Sequence, residues 1–274
     1  MSSTGVRTCE PHRRQEPGAA AHHDPQYPLS QMRCPDLSQL AEVVADYVTA
    51  SNASRVYALR SGVEFETHEA VDATTIGVIF LRREYGAIGR DWTVIDVGAN
   101  IGVFAVFAAE AGVRVFAYEP MPENYELLLR NLERNDLLGQ VQAFPLGVAA
   151  RRERRSLFVA ENNASHTMFP PAAGGRNVSV ECVSLADVVA DNAISQCDLL
   201  KLDCEGAEFE ILEAVPAATL DRIRRIRLEW HPGYDLEELI AFLAGNGFRV
   251  VWREVADEGR GMLWLERDDV AHAA

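Results

Sequence analysis

Apolar positions along the chain fall into two regimes that meet near residue 93. Before it the pattern is uneven. Residues 1–35 mix Pro, His, Arg, Ser and Ala without a period and read as a disordered tail. Leu37, Leu40, Val43, Val44, Tyr47 and Val48 then recur at the spacing of one helical face. Arg55–Leu59 and Val63–Glu66 predict two short strands turned by Ser61-Gly62, and Asp72 stands where it would cap a helix reaching about Tyr85. Residues 36–90 are therefore expected to form a helix-and-hairpin cap ahead of a main domain over 91–268.

From Thr93 onward short β-rich runs alternate with helical patterns. Strands are expected at 93–97, 113–118, 141–145, 197–202, 224–230, 248–252 and 262–265, the last antiparallel. Helices are expected at 101–111, 122–135, 185–190, 207–214 and 235–245. Two extended segments, 156–160 and 178–183, flank a polar loop. This alternation predicts a doubly wound, mostly parallel sheet with helices on both faces. Ligands of such sheets lie beyond the C-terminal ends of the strands, so residues at those tips are the candidates for chemistry.

The first tip is Thr93-Val-Ile-Asp-Val-Gly-Ala-Asn-Ile-Gly102, a strand, a glycine turn and an apolar helix. Gly98 and Gly102 would let the backbone approach a ligand with no Cβ in the way, or simply let strand and helix pack tightly. The spacing Asp-x-Gly-x-x-x-Gly differs from the Gly-x-Gly-x-x-Gly that wraps a pyrophosphate. Asp96 would repel a phosphate and suits a cation. S-adenosylmethionine fits: it carries a sulfonium and an ammonium and no phosphate. Glu119, at the tip of the next strand before Pro120, is placed to accept both ribose hydroxyls. Two rivals stay open, an NAD-dependent oxidoreductase and a catalytically inactive cofactor-binding protein.

A second group sits at the ends of later strands. In Lys201-Leu-Asp203-Cys-Glu205-Gly-Ala-Glu208 the charged residues alternate and would share one side. Glu229 and His231 repeat the arrangement one strand further on. Three roles fit. His231 or Asp203 could be a general base for an acceptor hydroxyl. Asp203, Glu229 and His231 could hold a divalent metal. Or Lys201 could neutralise Asp203 or Glu205 in a structural network. Asn163, Ser165 and His166, in the loop 161–177, are placed to touch an acceptor, or belong to a plain surface loop.

Charge narrows the partners. With 41 acidic against 26 basic residues the formal net charge is −15, which argues against nonspecific nucleic-acid binding. The basic run Arg151–Arg155 reads as a solvated turn. Cys9, Cys34, Cys182, Cys197 and Cys204 form no C-x-x-C pair, so neither a disulfide framework nor a zinc site is expected, and a reducing cytoplasm is the default. No segment has transmembrane length and residues 1–35 lack a secretory apolar run, so no membrane association is expected. Nothing in the sequence speaks to oligomeric state.

Taken together, Val94–Gly102, Ala117-Tyr-Glu-Pro120, Leu185-Ala-Asp187, Leu200–Glu208 and Leu228-Glu-Trp-His231 resemble the FkbM family of S-adenosylmethionine-dependent methyltransferases, over about residues 55–253. The departures are Cys204, where a Val is usual, and Ala186, where an acid is common. The resemblance implies the class I, Rossmann-like methyltransferase fold with seven strands. It also implies O-methylation of a small-molecule acceptor such as a sugar or secondary metabolite, with N-methylation the nearest alternative. Asp96, Gly98, Asn100 and Gly102 would then line the methionine end of the cofactor. Glu119 and Pro120 would hold the ribose. Lys201, Asp203, Glu205 and His231 would carry the chemistry.

Overall fold

The computed structural model describes residues 55–160, 166–169, 175–255 and 260–268. The expected tail, the helix at 37–50, and Asn163 and Ser165 lie outside these residues.

Strands β1 (Arg55–Ala58) and β2 (Glu64–Thr67) pair as the expected antiparallel hairpin. Helix α1 (Ala70–Gly77) follows and opens into a π-helical turn over Val78–Arg82. The sequence reading needs two corrections here. Asp72 does not start the helix: it lies inside the first turn, where its Oδ2 accepts from the amides of His68 (2.7 Å) and Glu69 (3.0 Å). Nor does the helix run to Tyr85, because Arg83 takes a left-handed conformation, φ 56°, and ends it.

The main domain alternates as the pattern requires, through β3 (Thr93–Val97), α2 (Val103–Ala109), β4 (Arg114–Tyr118), α3 (Pro122–Arg134) and β5 (Val141–Phe144). A small excursion comes next: β6 (Gly147–Ala149), β7 (Glu153–Phe158) and β8 (Asn177–Ser184) form a separate three-stranded sheet. The chain then returns through α4 (Leu185–Asp191), β9 (Leu199–Leu202), α5 (Glu208–Glu213), α6 (Ala217–Leu220), β10 (Arg225–Trp230), α7 (Leu236–Gly245), β11 (Phe248–Val255) and β12 (Gly261–Arg267). The seven-stranded sheet has the order β11-β12-β10-β9-β3-β4-β5, with β12 antiparallel to both neighbours and the pairs around β3 parallel.

Period-two alternation decides which face each side chain serves. Along β4, Val115 and Ala117 join the core under α2 and α3 with Phe104, Leu127 and Leu128. Phe116 and Tyr118 join the opposite core with Leu185, Phe209, Leu239 and Leu243. All four residues of β9 are buried, as expected of a central parallel strand covered on both faces. The ladder also sets charges side by side, with Asp96 opposite Lys201 in the β3–β9 register.

Two smaller features depart from the reading. β6 is too short, and too glycine-dependent, to leave a strand signal. The basic run is a turn only at Arg151 and Arg152. From Glu153 it is strand, and Arg155 pairs with Glu210 while Arg154 pairs with Glu181. The hairpin is held by asparagines of α3. Asn131 accepts from the Glu66 amide (2.7 Å) and donates to the Glu66 carbonyl (3.1 Å), and Asn135 does the same at Glu64 (2.8 and 2.7 Å). Among the described residues no helix is long and apolar enough to cross a membrane.

Candidate active site

The first strand tip is built from backbone constraints. Gly98 (φ +73°) and Gly102 (φ +88°) both need positive φ. A Cβ on Gly98 would collide with the Asp203 carbonyl, and one on Gly102 with the Leu128 side chain. The glycines therefore bring the turn against the β9 tip and against α3. The packing alternative accounts for both glycines, and Gly98 also lines both compartments that border this tip. Gly102 lies behind the turn at the start of α2, away from the cleft.

Asp96 and Lys201 lie beneath this turn. Asp96 is completely buried, and Lys201 Nζ stands 3.1 Å from its Oδ1. Lys201 also donates to the Gly98 carbonyl at 2.7 Å and the Val97 carbonyl at 3.3 Å, so it ties the turn down from below. Burial opposes its charge, but Asp96 and Asp203 outweigh that and hold its pKa up. The pair is uneven. Burial raises the Asp96 carboxyl, with Lys201 opposing, because one cation serves two acids. Its Oδ2 accepts no hydrogen bond from the protein.

Glu119 caps the neighbouring strand from a pocket wall. Its Oε2 accepts from the Asn100 amide and its Oε1 from the Met121 amide, both at 2.8 Å. Burial pushes its pKa up to about 7 against the pull of these amides. Asn100 is held in a left-handed conformation, φ 50°, and its buried Oδ1 has no protein partner.

The second tip departs from simple alternation. β9 ends at Leu202, and Glu205 adopts φ 54°, so Lys201, Asp203 and Glu205 do not share one strand face. Asp203 Oδ2 accepts from the Tyr85 hydroxyl at 2.9 Å and lies 3.7 Å from Lys201 Nζ. Glu205 turns to His231, whose Nε2 stands 3.3 Å from Glu205 Oε2. The ring's Nδ1 is 3.3 Å from Oε1 of Glu208, a fully buried acid that also accepts from the amides of Cys204 (2.9 Å) and Gly206 (3.0 Å). Burial lowers the His231 pKa, but Glu208, Glu205 and Asp203 outweigh it and hold the ring protonated at neutral pH. Burial and Asp203 push Glu229 upward. The expected metal set is also revised. Donor atoms of Asp203, Glu205 and His231 lie within 4.8 Å of one another, and Glu205 takes the place given to Glu229.

These tips border two compartments. One, of about 590 Å³, is lined by Tyr118, Glu119, Pro120, Asn124, Gly147 and His166, among others. The other, of about 1250 Å³, lies under α1 and is lined by Thr74, Glu84, Tyr85, Lys201, Glu229 and Arg260. Gly98, Asn100, Asp203 and Glu205 line both. His166, expected at the acceptor, lines the same compartment as Glu119. Glu84, Tyr85 and Arg260 were not anticipated, since they carry no motif and come from segments far from the strand tips in sequence.

The donor set fits S-adenosylmethionine. The buried carboxyl of Glu119 and the unpartnered Oδ1 of Asn100 belong to the lining of the smaller compartment, and Asp203 and Glu205 line both, a set suited to a cationic ligand. Asp96, expected at the cofactor, lies buried under the turn and lines neither compartment. The sheet order and acid-tipped glycine turn define a Rossmann-like methyltransferase. Residues 96–250 match the Methyltransferase FkbM domain, and the chain belongs to that family. It is 32% identical over 190 residues to 31-O-demethyl-FK506 methyltransferase FkbM of Streptomyces tacrolimicus, covering 58% of this chain and 73% of that protein. Methyltransferase sdnD of Sordaria araneosa is 28% identical over 211 residues, covering 64% and 82%. Hexuronic acid methyltransferase AglP of Haloferax volcanii is 28% identical over 162 residues, covering 57% and 62%.

Proposed function

We propose that the protein transfers a methyl group from S-adenosylmethionine to a hydroxyl of a small-molecule secondary metabolite or sugar. The observation that carries this is the shared wall. Asp203 and Glu205 line both compartments, so a donor over the glycine turn and an acceptor under α1 would meet at one carboxylate. When bound, the donor supplies an electrophilic methyl on positive sulfur. The chain supplies alignment and proton removal.

Glu119 and Asn100 hold the donor from the ribose and turn sides. Lys201 fixes the turn from beneath and keeps Asp203 in place. Asp203 is the proposed base: Tyr85 holds its Oδ2, leaving the other oxygen for the acceptor hydroxyl. His231 is a poor base without a bound cation, because its neighbours keep it protonated. As the O–CH₃ bond forms the S–CH₃ bond breaks, the hydroxyl proton passes to Asp203, and S-adenosylhomocysteine leaves. An oxygen acceptor is in keeping with the 31-O-demethyl substrate in the name of one relative, and a sugar-type acceptor with the hexuronic acid in the name of another.

The test is methyl transfer from labelled cofactor onto a panel of sugars, macrolides, phenols and amines. Label on hydroxyl compounds supports the reading. Label confined to amines makes the protein an N-methyltransferase. Stabilisation by NAD without stabilisation by S-adenosylhomocysteine would overturn the donor assignment.

A further inference from the structure

We infer that Asp203, Glu205 and His231 form a divalent-cation site at the junction of the two compartments, with Glu208 as its positioning residue. Three ligands bound to one ion at about 2.0–2.3 Å must have donor atoms within roughly 4.5 Å of each other. The donors here lie within 4.8 Å, so small side-chain rotations bring them to one centre.

Proximity of acids alone would not carry this; the histidine does. His231 is about nine-tenths buried, yet neither ring nitrogen completes a hydrogen bond with the protein, although carboxylate oxygens stand 3.3 Å from each. Without an ion the ring keeps a proton between two carboxylates at loose 3.3 Å contacts, and a cation bound at Nε2 would take that proton's place and leave the imidazole neutral. The two nitrogens face different things. Nδ1 faces Glu208, which the amides of Cys204 and Gly206 anchor, and Nε2 faces Glu205. A ligating histidine is ordinarily oriented this way, with one nitrogen toward a fixed carboxylate and the other toward the ion. Tyr85 and Lys201 engage only Oδ2 of Asp203, so with an ion in place Oδ1 is a ligand and the ion, not a free Asp203 oxygen, would activate the acceptor.

Two carboxylates and one neutral imidazole offset the charge of a divalent ion. The imidazole selects manganese or zinc over magnesium or calcium, which prefer all-oxygen sites. Three protein ligands leave positions open toward the compartment of Tyr85 and Glu229. If the methyl-transfer reading holds, those positions would receive the acceptor oxygen and ease loss of its proton.

The experiment uses the full chain, stripped with chelator, and titrates Mn²⁺ followed by electron paramagnetic resonance, with Zn²⁺ in parallel calorimetry. The expected result is about one ion per chain. His231→Ala and Glu205→Gln should abolish binding, and Glu208→Gln should weaken it by roughly tenfold to a hundredfold. No binding of either ion at millimolar concentration would overturn the proposal, as would wild-type affinity in His231→Ala. Far-UV circular dichroism and chemical denaturation of the same samples show that each variant is folded, and S-adenosylhomocysteine affinity is measured on the wild type. Its loss in the wild type would sink the donor reading and leave the metal result standing.

Discussion

The tips of β4 and β9 each present buried or half-buried acid, and they are finished to different degrees. At β4, both oxygens of Glu119 already accept from backbone amides of its own loop, and its position is set before any ligand arrives. At β9, Asp203, Glu205 and His231 crowd together; burial and Asp203 push the Glu205 carboxyl up, while Glu208, Glu205 and Asp203 push the His231 ring up against its burial. The first is preorganised to hold a molecule of fixed shape. The second stores electrostatic stress that a reacting group, or an ion, relieves. On the proposed reading, holding and reacting are thus separated onto different strands.

The most severe way to break this division is at the reacting tip. Asp203→Asn should lower kcat by about 10²- to 10⁴-fold, while S-adenosylhomocysteine affinity changes only a few-fold. Equal loss in both would show that Asp203 holds rather than reacts. Lys201→Met should cost roughly 3–5 kcal/mol of stability, because it leaves Asp96 buried without its cation. Chemical denaturation checks this, and the double variant Lys201→Met/Asp96→Leu should recover much of the loss.

At the holding tip the effects are smaller and fall on binding. Glu119→Gln should weaken S-adenosylhomocysteine by about 1.5–3 kcal/mol in calorimetry, the worth of hydrogen bonds to a charged acceptor. Its pH profile is sharper still as a test. Glu119 has a pKa of about 7 in the fold against 4.5 ordinarily, so the folded protein keeps a proton that the unfolded chain has released between these values. Stability therefore falls as pH rises from 4.5 to 7, by about 3 kcal/mol in total. Cofactor binding runs the other way, because the diol needs the ionised acceptor: affinity should drop about tenfold per pH unit below 7 and level off above it. Glu119→Gln should flatten that profile. Tyr85→Phe, which removes one bond to Asp203, should reduce kcat by about 1 kcal/mol in barrier and leave KM for the cofactor unchanged.

The holding tip was also the more legible of the two in sequence. Asp96, Glu119 and the glycine turn are read from a few contiguous residues, and a strand-to-helix junction leaves little choice about where they go. The central strands of the main sheet were found because buried parallel strands are short apolar runs with clear ends, as β9 illustrates. The reacting tip was read less well. Alternation placed Glu205 beside Lys201, but the strand stops at Leu202 and the left-handed turn at Glu205 sends that acid to His231. Tyr85 and Arg260 reach the same place from distant segments, which no local pattern reports. The glycines were legible, but their contacts with the Asp203 carbonyl and the Leu128 side chain were not, since those partners lie far away in sequence.

The asparagine zipper has a consequence for how such a protein can change its acceptor. Asn131 joins two things with one amide: it pairs with β2, and its nitrogen also donates to the Ile101 carbonyl inside the glycine turn at 2.8 Å. The hairpin that leads into the acceptor compartment is therefore seated on the same side chain that steadies the cofactor turn. An exchanged hairpin can be accepted if its backbone is extended at the positions of Glu64 and Glu66, where Asn131 and Asn135 read only main-chain groups, and if it keeps apolar residues at the positions of Val63 and Phe65, which are buried in the core. Acceptor preference can then drift through the cap while the donor half stays as it was.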